Sequence, residues 1–245
     1  MSDKTPLQVF AEECQAEIRA QGNDAALGEL AQVFYNESAK HKYTYHFSWM
    51  GRPIIQLPQD MVAMQELIWK LKPDLIIECG IAHGGSIIYY ASMMELVGHG
   101  EVLGIDRDIR PHNREAIESH PMFKRISMIE GSSIDPAVVE RVRMLAEGKK
   151  VIVVLDSNHT HDHVLAELRA YAPLVSQDCY CVVMDTVVED MPADAFPDRP
   201  WGVGDNPRTA VWAYLKETED FVIDAEIHDK LLITVARDGY LRRVR

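Results

Sequence analysis

The chain has 245 residues, 47% of them hydrophobic and 26% charged, a globular composition long enough to bury a core without disulfide or metal staples. Its 25 basic and 38 acidic residues leave a formal charge of −13, which opposes phosphate backbones and anionic bilayers, so neither nucleic-acid nor membrane partners are expected. Cys14, Cys79, Cys179 and Cys181 form no C-x-x-C and read as buried thiols; with no signal or transit segment and no run of about 18 apolar residues, a cytoplasmic protein is expected.

Leu7, Phe10, Ala11, Cys14 and Ile18 recur at helical spacing, Gly22 and Asn23 interrupt, and a second helix runs from about Asp24 to Lys40. Residues 41–59 are aromatic and without a period; they read as an ordered loop that either closes a substrate pocket or packs a helical cap on the rest. Pro58-Gln59-Asp60 opens a helix to about Lys72, with Asp60 as its expected N-cap. From Pro73 short apolar strands alternate with helices: LIIEC (75–79), EVLGID (101–106), RISMIEG (125–131), KVIVVLD (150–156) and CYCVVMD (179–185). The helices between them start near Gly84, Pro111, Asp135 and Thr160. After a loop over 186–207 and a helix over Thr209–Thr218, FVIDAE (221–226) and LLITVA (231–236) read as a closing antiparallel pair. This pattern predicts an α/β, Rossmann-like doubly wound, mostly parallel sheet with an antiparallel edge over 73–245. Residues 1–72 form an N-terminal helical cap, whose apolar helices offer an interface for a homo-oligomer.

In such a sheet, ligands bind beyond the carboxyl ends of the strands. Those ends here are Glu78 to Ser86, Asp106, Gly131-Ser132-Ser133, Asp156 to His159, and Asp185-Thr186. The glycine spacing after the first strand, G-x-x-x-G-G, is neither the dinucleotide nor the P-loop fingerprint. No lysine follows it, and Glu78 stands just before it, a poor neighbour for a diphosphate and a good one for a cation. S-adenosylmethionine carries a sulfonium and an ammonium and no phosphate, and Asp106 is placed to accept from ribose hydroxyls. These features favour S-adenosylmethionine over a nicotinamide cofactor, with Glu78, Gly80, Ala82, Gly84, Ser86, Asp106, Ser132, Ser133 and Asp156 around it.

Asp156-Ser-Asn-His159-Thr-His161-Asp162-His163 is the densest chemistry in the chain. Asp156 and His159 are the expected catalytic pair, the imidazole being suited to proton transfer at neutral pH. His161, Asp162 and His163 are expected on the solvated first turn of a helix. Two other sets stay open: a zinc-type Asp156/His159/His163 and an iron-type Asp156/His161/His163. Asp156 and Asp185 end consecutive strands, and two converging carboxylates suit Mg²⁺; Asp185 could alternatively cap the loop after it.

These pieces resemble the cephalosporin hydroxylase/rhamnosyl O-methyltransferase family of class I methyltransferases over about residues 43–218. The resemblance rests on Tyr45…Trp49-Met50-Gly51…Ile55-Gln56-x-Pro58-x-Asp60, Ile77-Glu78-x-Gly80-x-x-x-Gly84-Gly85-Ser86 and Gly104-Ile105-Asp106. Further on it takes in Gly131-Ser132-Ser133, Leu155-Asp156-Ser157-x-His159-x-x-x-His163-Val164, Asp185-Thr186 and Trp201-Gly202-x-Gly204-x-x-Pro207. It implies an S-adenosylmethionine-dependent, Mg²⁺-assisted O-methyltransferase acting on a small-molecule hydroxyl, with His159 as base. Where the family commonly has Glu-Asp-Thr, this chain has Met184-Asp185-Thr186, so the resemblance leaves Thr186, Asn158 or water to complete the metal site with Asp156 and Asp185. The rival readings are a non-haem iron hydroxylase and a non-catalytic module that keeps the cofactor crevice.

Overall fold

Thr5 starts the first helix with a capping box: its hydroxyl accepts from the Gln8 N–H, and the Gln8 side chain accepts from the Thr5 N–H. The computed structural model describes residues 4–245. Helix α1 spans Pro6–Gly22, and α2 spans Ala25–Ala39 behind an Asp24 cap, as the Gly22-Asn23 break predicts. Neither helix has a buried residue.

Residues 41–59 are more regular than the expected loop. A single 3₁₀ turn, Tyr43–His46, leads into a hairpin of β1 (Phe47–Trp49) and β2 (Arg52–Ile54). Met50 and Gly51 at its tip have φ of 44° and 85°, the primed turn whose twist matches the strands. Three-residue strands are too short to leave a period in the sequence. The hairpin packs on α4 (Gly85–Val97) through Trp49, whose ring lies edge-on to Tyr89 at 4.9 Å and whose indole N–H donates to Ser92 Oγ at 3.0 Å.

Helix α3 spans Pro58–Leu71 with Leu57, not Asp60, as its N-cap. Asp60 lies within the first turn and is fully buried. Its carboxylate turns away from the helix end to accept from Val235 N at 2.9 Å, from the Tyr240 hydroxyl at 3.0 Å and from the Thr234 hydroxyl.

The remaining elements are β3 (Leu75–Cys79), β4 (Glu101–Asp106), α5 (Pro111–Glu118), β5 (Ile126–Glu130), α6 (Pro136–Ala146), β6 (Val151–Leu155) and α7 (His161–Tyr171). They continue through β7 (Tyr180–Val183), α8 (Pro207–Tyr214), β8 (Phe221–Ile223), α9 (Ala225–Leu231) and β9 (Tyr240–Arg243). The seven-stranded sheet has the order β5-β4-β3-β6-β7-β9-β8; its first five strands are parallel, and β9 is antiparallel to both neighbours. Strands β3, β6 and β7 are buried at every position, as expected of parallel strands covered on both faces. Met64 and Ile68 of α3 join the same core.

The closing antiparallel pair exists, but its second strand is Tyr240–Arg243 and not 231–236. Residues 225–231 are helical, and Leu232 takes a positive φ of 60°. Beyond it, isolated contacts rather than a ladder satisfy the backbone: the Val235 N–H goes to the Asp60 carboxylate, and Val235 O accepts from the backbone Val187 N at 3.1 Å. Apolar content alone predicts a strand there. Among the described residues no helix is long and apolar enough to cross a membrane.

Candidate active site

Strand order reverses between β3 and β6, and the glycine loop emerges at that point. Gly80 has a φ of 102°, and a Cβ on it would lie 2.0 Å from the Asp156 carbonyl oxygen. Only glycine lets the loop leave β3 so close to the end of β6. Gly84, with φ of 81°, caps α4, and a Cβ on Gly85 would lie 2.1 Å from Pro53 O, so β2 sits directly against the helix start.

Glu78 is fully buried beneath this loop. One carboxylate oxygen accepts from Ser86 Oγ at 2.8 Å, while Oε1 is buried with no hydrogen-bond partner. Burial pushes its pKa up to about 8. Asp106 accepts from Ile81 N at 2.8 Å, Ala82 N at 3.2 Å and Asp108 N at 3.1 Å, so the acid at the end of β4 also shapes the loop. A cavity of about 250 Å³ lies beside it, lined by Ala82, His83, Asp106, Asp108, Arg110 and Asn113.

Two residues that sequence reasoning missed hold the loop from outside. Arg52 of β2 donates from Nε to His83 O at 2.9 Å and from Nη2 to the same oxygen at 2.5 Å, and Nη2 also reaches Asn113 Oδ1 at 2.9 Å. Asn113 of α5 in turn donates to Ala82 O at 2.9 Å. These contacts span 31 residues or more, which local pattern cannot show.

Past the reversal point, Asp156, His159 and Asp185 each offer a ligand atom within 4.8 Å of the others. His159 Nε2 stands 3.2 Å from Asp185 Oδ2, and its ring lies edge-on to Trp201 at 4.8 Å. Asp185 has a φ of 56°, an uncommon backbone for a residue with a side chain. Burial, then the charges of Asp185 and Glu78, hold the Asp156 carboxyl well above the usual carboxylate range. This cluster joins the expected base to the two expected metal-binding acids. Thr186 is not in it: its hydroxyl donates to Arg237 O at 2.5 Å and Val235 O at 3.4 Å. Asn158 spends its Oδ1 on Thr160 N, and Met184 is buried in the core.

The first turn of α7 is docked rather than solvated. His161 Nδ1 meets Thr209 Oγ1 at 2.8 Å, and its N–H donates to Asp205. His163 Nε2 lies 3.2 Å from both Ser133 Oγ and Ser157 Oγ, and both hydroxyls donate to buried Glu167. Of that turn only Asp162 is exposed. Neither His161 nor His163 faces Asp156, so the zinc-type and iron-type sets do not assemble. The Ser133 hydroxyl is committed to this buried nest, and its carbonyl accepts from the Tyr171 hydroxyl at 2.6 Å.

A parallel sheet reversing at a glycine cradle, an acid ending the next strand, and an antiparallel β7-β9-β8 edge define a class I methyltransferase fold. The family model for rhamnosyl O-methyltransferase/CmcI matches residues 41–244, and the chain belongs to that family. A rhamnosyl O-methyltransferase of Mycobacterium tuberculosis is 33% identical over 235 residues, covering 93% of this chain and 89% of its own. One from Mycobacterium leprae is 33% identical over 204 residues, covering 80% of this chain and 82% of its own. A CmcI structure with Mg and SAM superposes with a TM-score of 0.58 at 20% identity, covering 82% of this chain and 78% of its own. An O-methyltransferase from Bacillus cereus in complex with SAH gives 0.52 at 14% identity, covering 91% and 92%. Both structural likenesses bear on the fold alone.

Proposed function

We propose that this protein transfers the methyl group of S-adenosylmethionine to a hydroxyl oxygen of a small molecule, a sugar or a sugar-bearing metabolite, with Mg²⁺ beside the acceptor. The observation that carries this reading is the Asp156/His159/Asp185 cluster facing a glycine cradle whose buried acid, Glu78, has an unpartnered oxygen. A cationic cofactor fits that oxygen, because an unpaired buried acceptor is costly and a positive partner relieves it. Gly80, Ala82, Gly84 and Ser86 line the approach, Asp106 is the acceptor for ribose hydroxyls, and Ser132-Ser133 close the far wall. A divalent cation fits between Asp156 and Asp185, whose mutual repulsion it would offset.

When bound, S-adenosylmethionine supplies an electrophilic methyl group, and Mg²⁺ lowers the pKa of an oxygen it touches. The chain's own residues do the rest. His159 takes the proton of the acceptor hydroxyl. Asp185, 3.2 Å from its Nε2, orients the ring and stabilises its charged form. Trp201, edge-on to the imidazole, restricts its rotation and excludes water from one side. Arg52 and Asn113 fix the loop carbonyls, so the cofactor side needs little reordering on binding.

The test is incubation with S-adenosylmethionine, Mg²⁺ and methyl α-L-rhamnopyranoside, with products read by mass spectrometry. A methyl ether and an equal amount of demethylated cofactor are expected, both reduced by chelator. Tight NAD binding with no response to S-adenosylmethionine would overturn the reading.

A further inference from the structure

The direction from which an acceptor can approach follows from the sheet order. Asp106, Gly80 and Asp156 end β4, β3 and β6, and these three strands carry the cofactor crevice. Asp185 follows β7, and the next strand, β9, is antiparallel. The segment entering β9, residues 232–239, therefore lies at the same edge of the sheet as Asp185, on the side away from the cofactor. A cavity of about 480 Å³ opens there, walled by Gln32 and Tyr35 of α2, Val187, His228 of α9, Thr234 and Arg237. Val187 is two residues beyond Asp185, and Thr234 is anchored to Asp60.

The polar groups of this cavity are those of a site for a neutral ligand. Arg237 is the one fixed cation among the described lining residues, and Asp190 already pairs with it at 3.2 Å. Asp24, Glu29 and Asp229 add negative charge to the wall, which opposes a phosphate or carboxylate. His228 Nδ1 is buried with no hydrogen-bond partner; burial, then Arg237, lowers the imidazole's pKa, which keeps the ring neutral. Leu232 and Ile233 supply apolar surface beside these groups. A hydroxylated ring, apolar on its faces and polar at its edge, matches that mixture.

We propose that this cavity between α2 and the 228–237 segment binds the methyl acceptor as a neutral hydroxylated ring, with His228 Nδ1 and the Tyr35 hydroxyl as its direct polar contacts. The proposal rests on the methyl-transfer reading above. It assigns the N-terminal helices a role: α2 is one wall of the acceptor pocket. It also makes His228 a specificity-determining residue.

Two variants on different elements test it. Gly28 of α2 lines the cavity, and a Cβ there meets no heavy atom within 4 Å, so Gly28→Trp fills the space without strain at the backbone. His228→Leu removes the unpartnered nitrogen. The probes are methyl α-L-rhamnopyranoside, which is neutral, and rhamnose 1-phosphate, which is anionic. Each protein is also titrated with S-adenosylmethionine by calorimetry. Expected is a KM for the neutral glycoside raised about tenfold or more in each variant, as loss of a buried hydrogen bond or of the space itself implies. Cofactor affinity should stay within about twofold, and the wild type should use the phosphate at least about tenfold less efficiently. An unchanged KM in Gly28→Trp overturns the cavity assignment, whatever the folding of His228→Leu. An unchanged KM in folded His228→Leu overturns the role of its Nδ1. Cofactor binding without turnover of the neutral glycoside, or equal use of the phosphate, overturns the neutral-ring assignment. Failure of the wild type to bind S-adenosylmethionine would instead sink the methyl-transfer reading itself.

Discussion

The two halves of the crevice are built on opposite principles. On the β3–β4 side the loop is held by partnered groups, with Glu78 Oε1 the exception: Asp106 takes three backbone N–H groups, and Arg52 and Asn113 hold the carbonyls of His83 and Ala82. On the β6–β7 side Asp156, Asp185 and His159 converge with too few partners, and Asp156 is held far above its ordinary pKa. The first half is preorganised to receive a ligand and the second stores electrostatic repulsion that a cation and an acceptor relieve. Binding and chemistry should therefore respond to different substitutions.

The largest expected separation comes from His159→Ala. Losing a general base lowers turnover by about 10²–10⁴-fold, while S-adenosylmethionine affinity stays nearly unchanged. Single-turnover kinetics beside calorimetry reads both; a comparable loss of cofactor affinity would mean that the halves are not separable at this residue.

Next is a stability effect at Asp60, which lies outside both halves. Burial pushes Asp60 from 3.8 up to about 6 in the folded protein. A proton held more tightly when folded makes stability fall as pH rises from about 4 to about 6, by about 3 kcal/mol for this shift at 1.36 kcal/mol per unit. Asp60→Asn, which carries no titrating proton, should flatten that part of the urea-midpoint profile. An unaltered slope would show that other groups carry it.

Asp106→Ala should weaken S-adenosylmethionine by about 1.5–3 kcal/mol, the worth of a charge-assisted hydrogen bond, with turnover at saturating cofactor little changed. A loss confined to turnover would move Asp106 to the reactive half. Arg52→Ala is the gentlest: it releases His83 O and should cost about 1 kcal/mol of cofactor affinity, again by calorimetry. A silent Arg52→Ala would mean that Asn113 alone suffices to hold the loop.

The same contrast separates what could be read from sequence. Strand ends, the glycine loop and the acids after β4, β6 and β7 are local features, and each lies where its pattern predicts. Pairings across the chain were not legible: Arg52 with His83, Asp60 with Val235, and His228 facing α2 across some two hundred residues. Asp60 misleads because an acid near Pro58 looks like a cap, whereas its partners are 174 or more residues away. The run 231–236 misleads for the same reason, since a side chain satisfies the backbone that its apolar character assigned to a ladder. His161 and His163 read as solvated because Thr209 and Ser133, which dock them, come from distant parts of the chain.

The most direct test of methyl transfer at this crevice is titration of S-adenosylmethionine into the wild-type protein by calorimetry, with Glu78→Gln alongside. Saturable binding is predicted for the wild type, with clearly weaker binding in Glu78→Gln, which cannot ionise beside the cationic cofactor as a carboxyl with a pKa of about 8 can. No binding to the wild type, or full affinity in Glu78→Gln, would contradict the assignment of this crevice to a cationic cofactor.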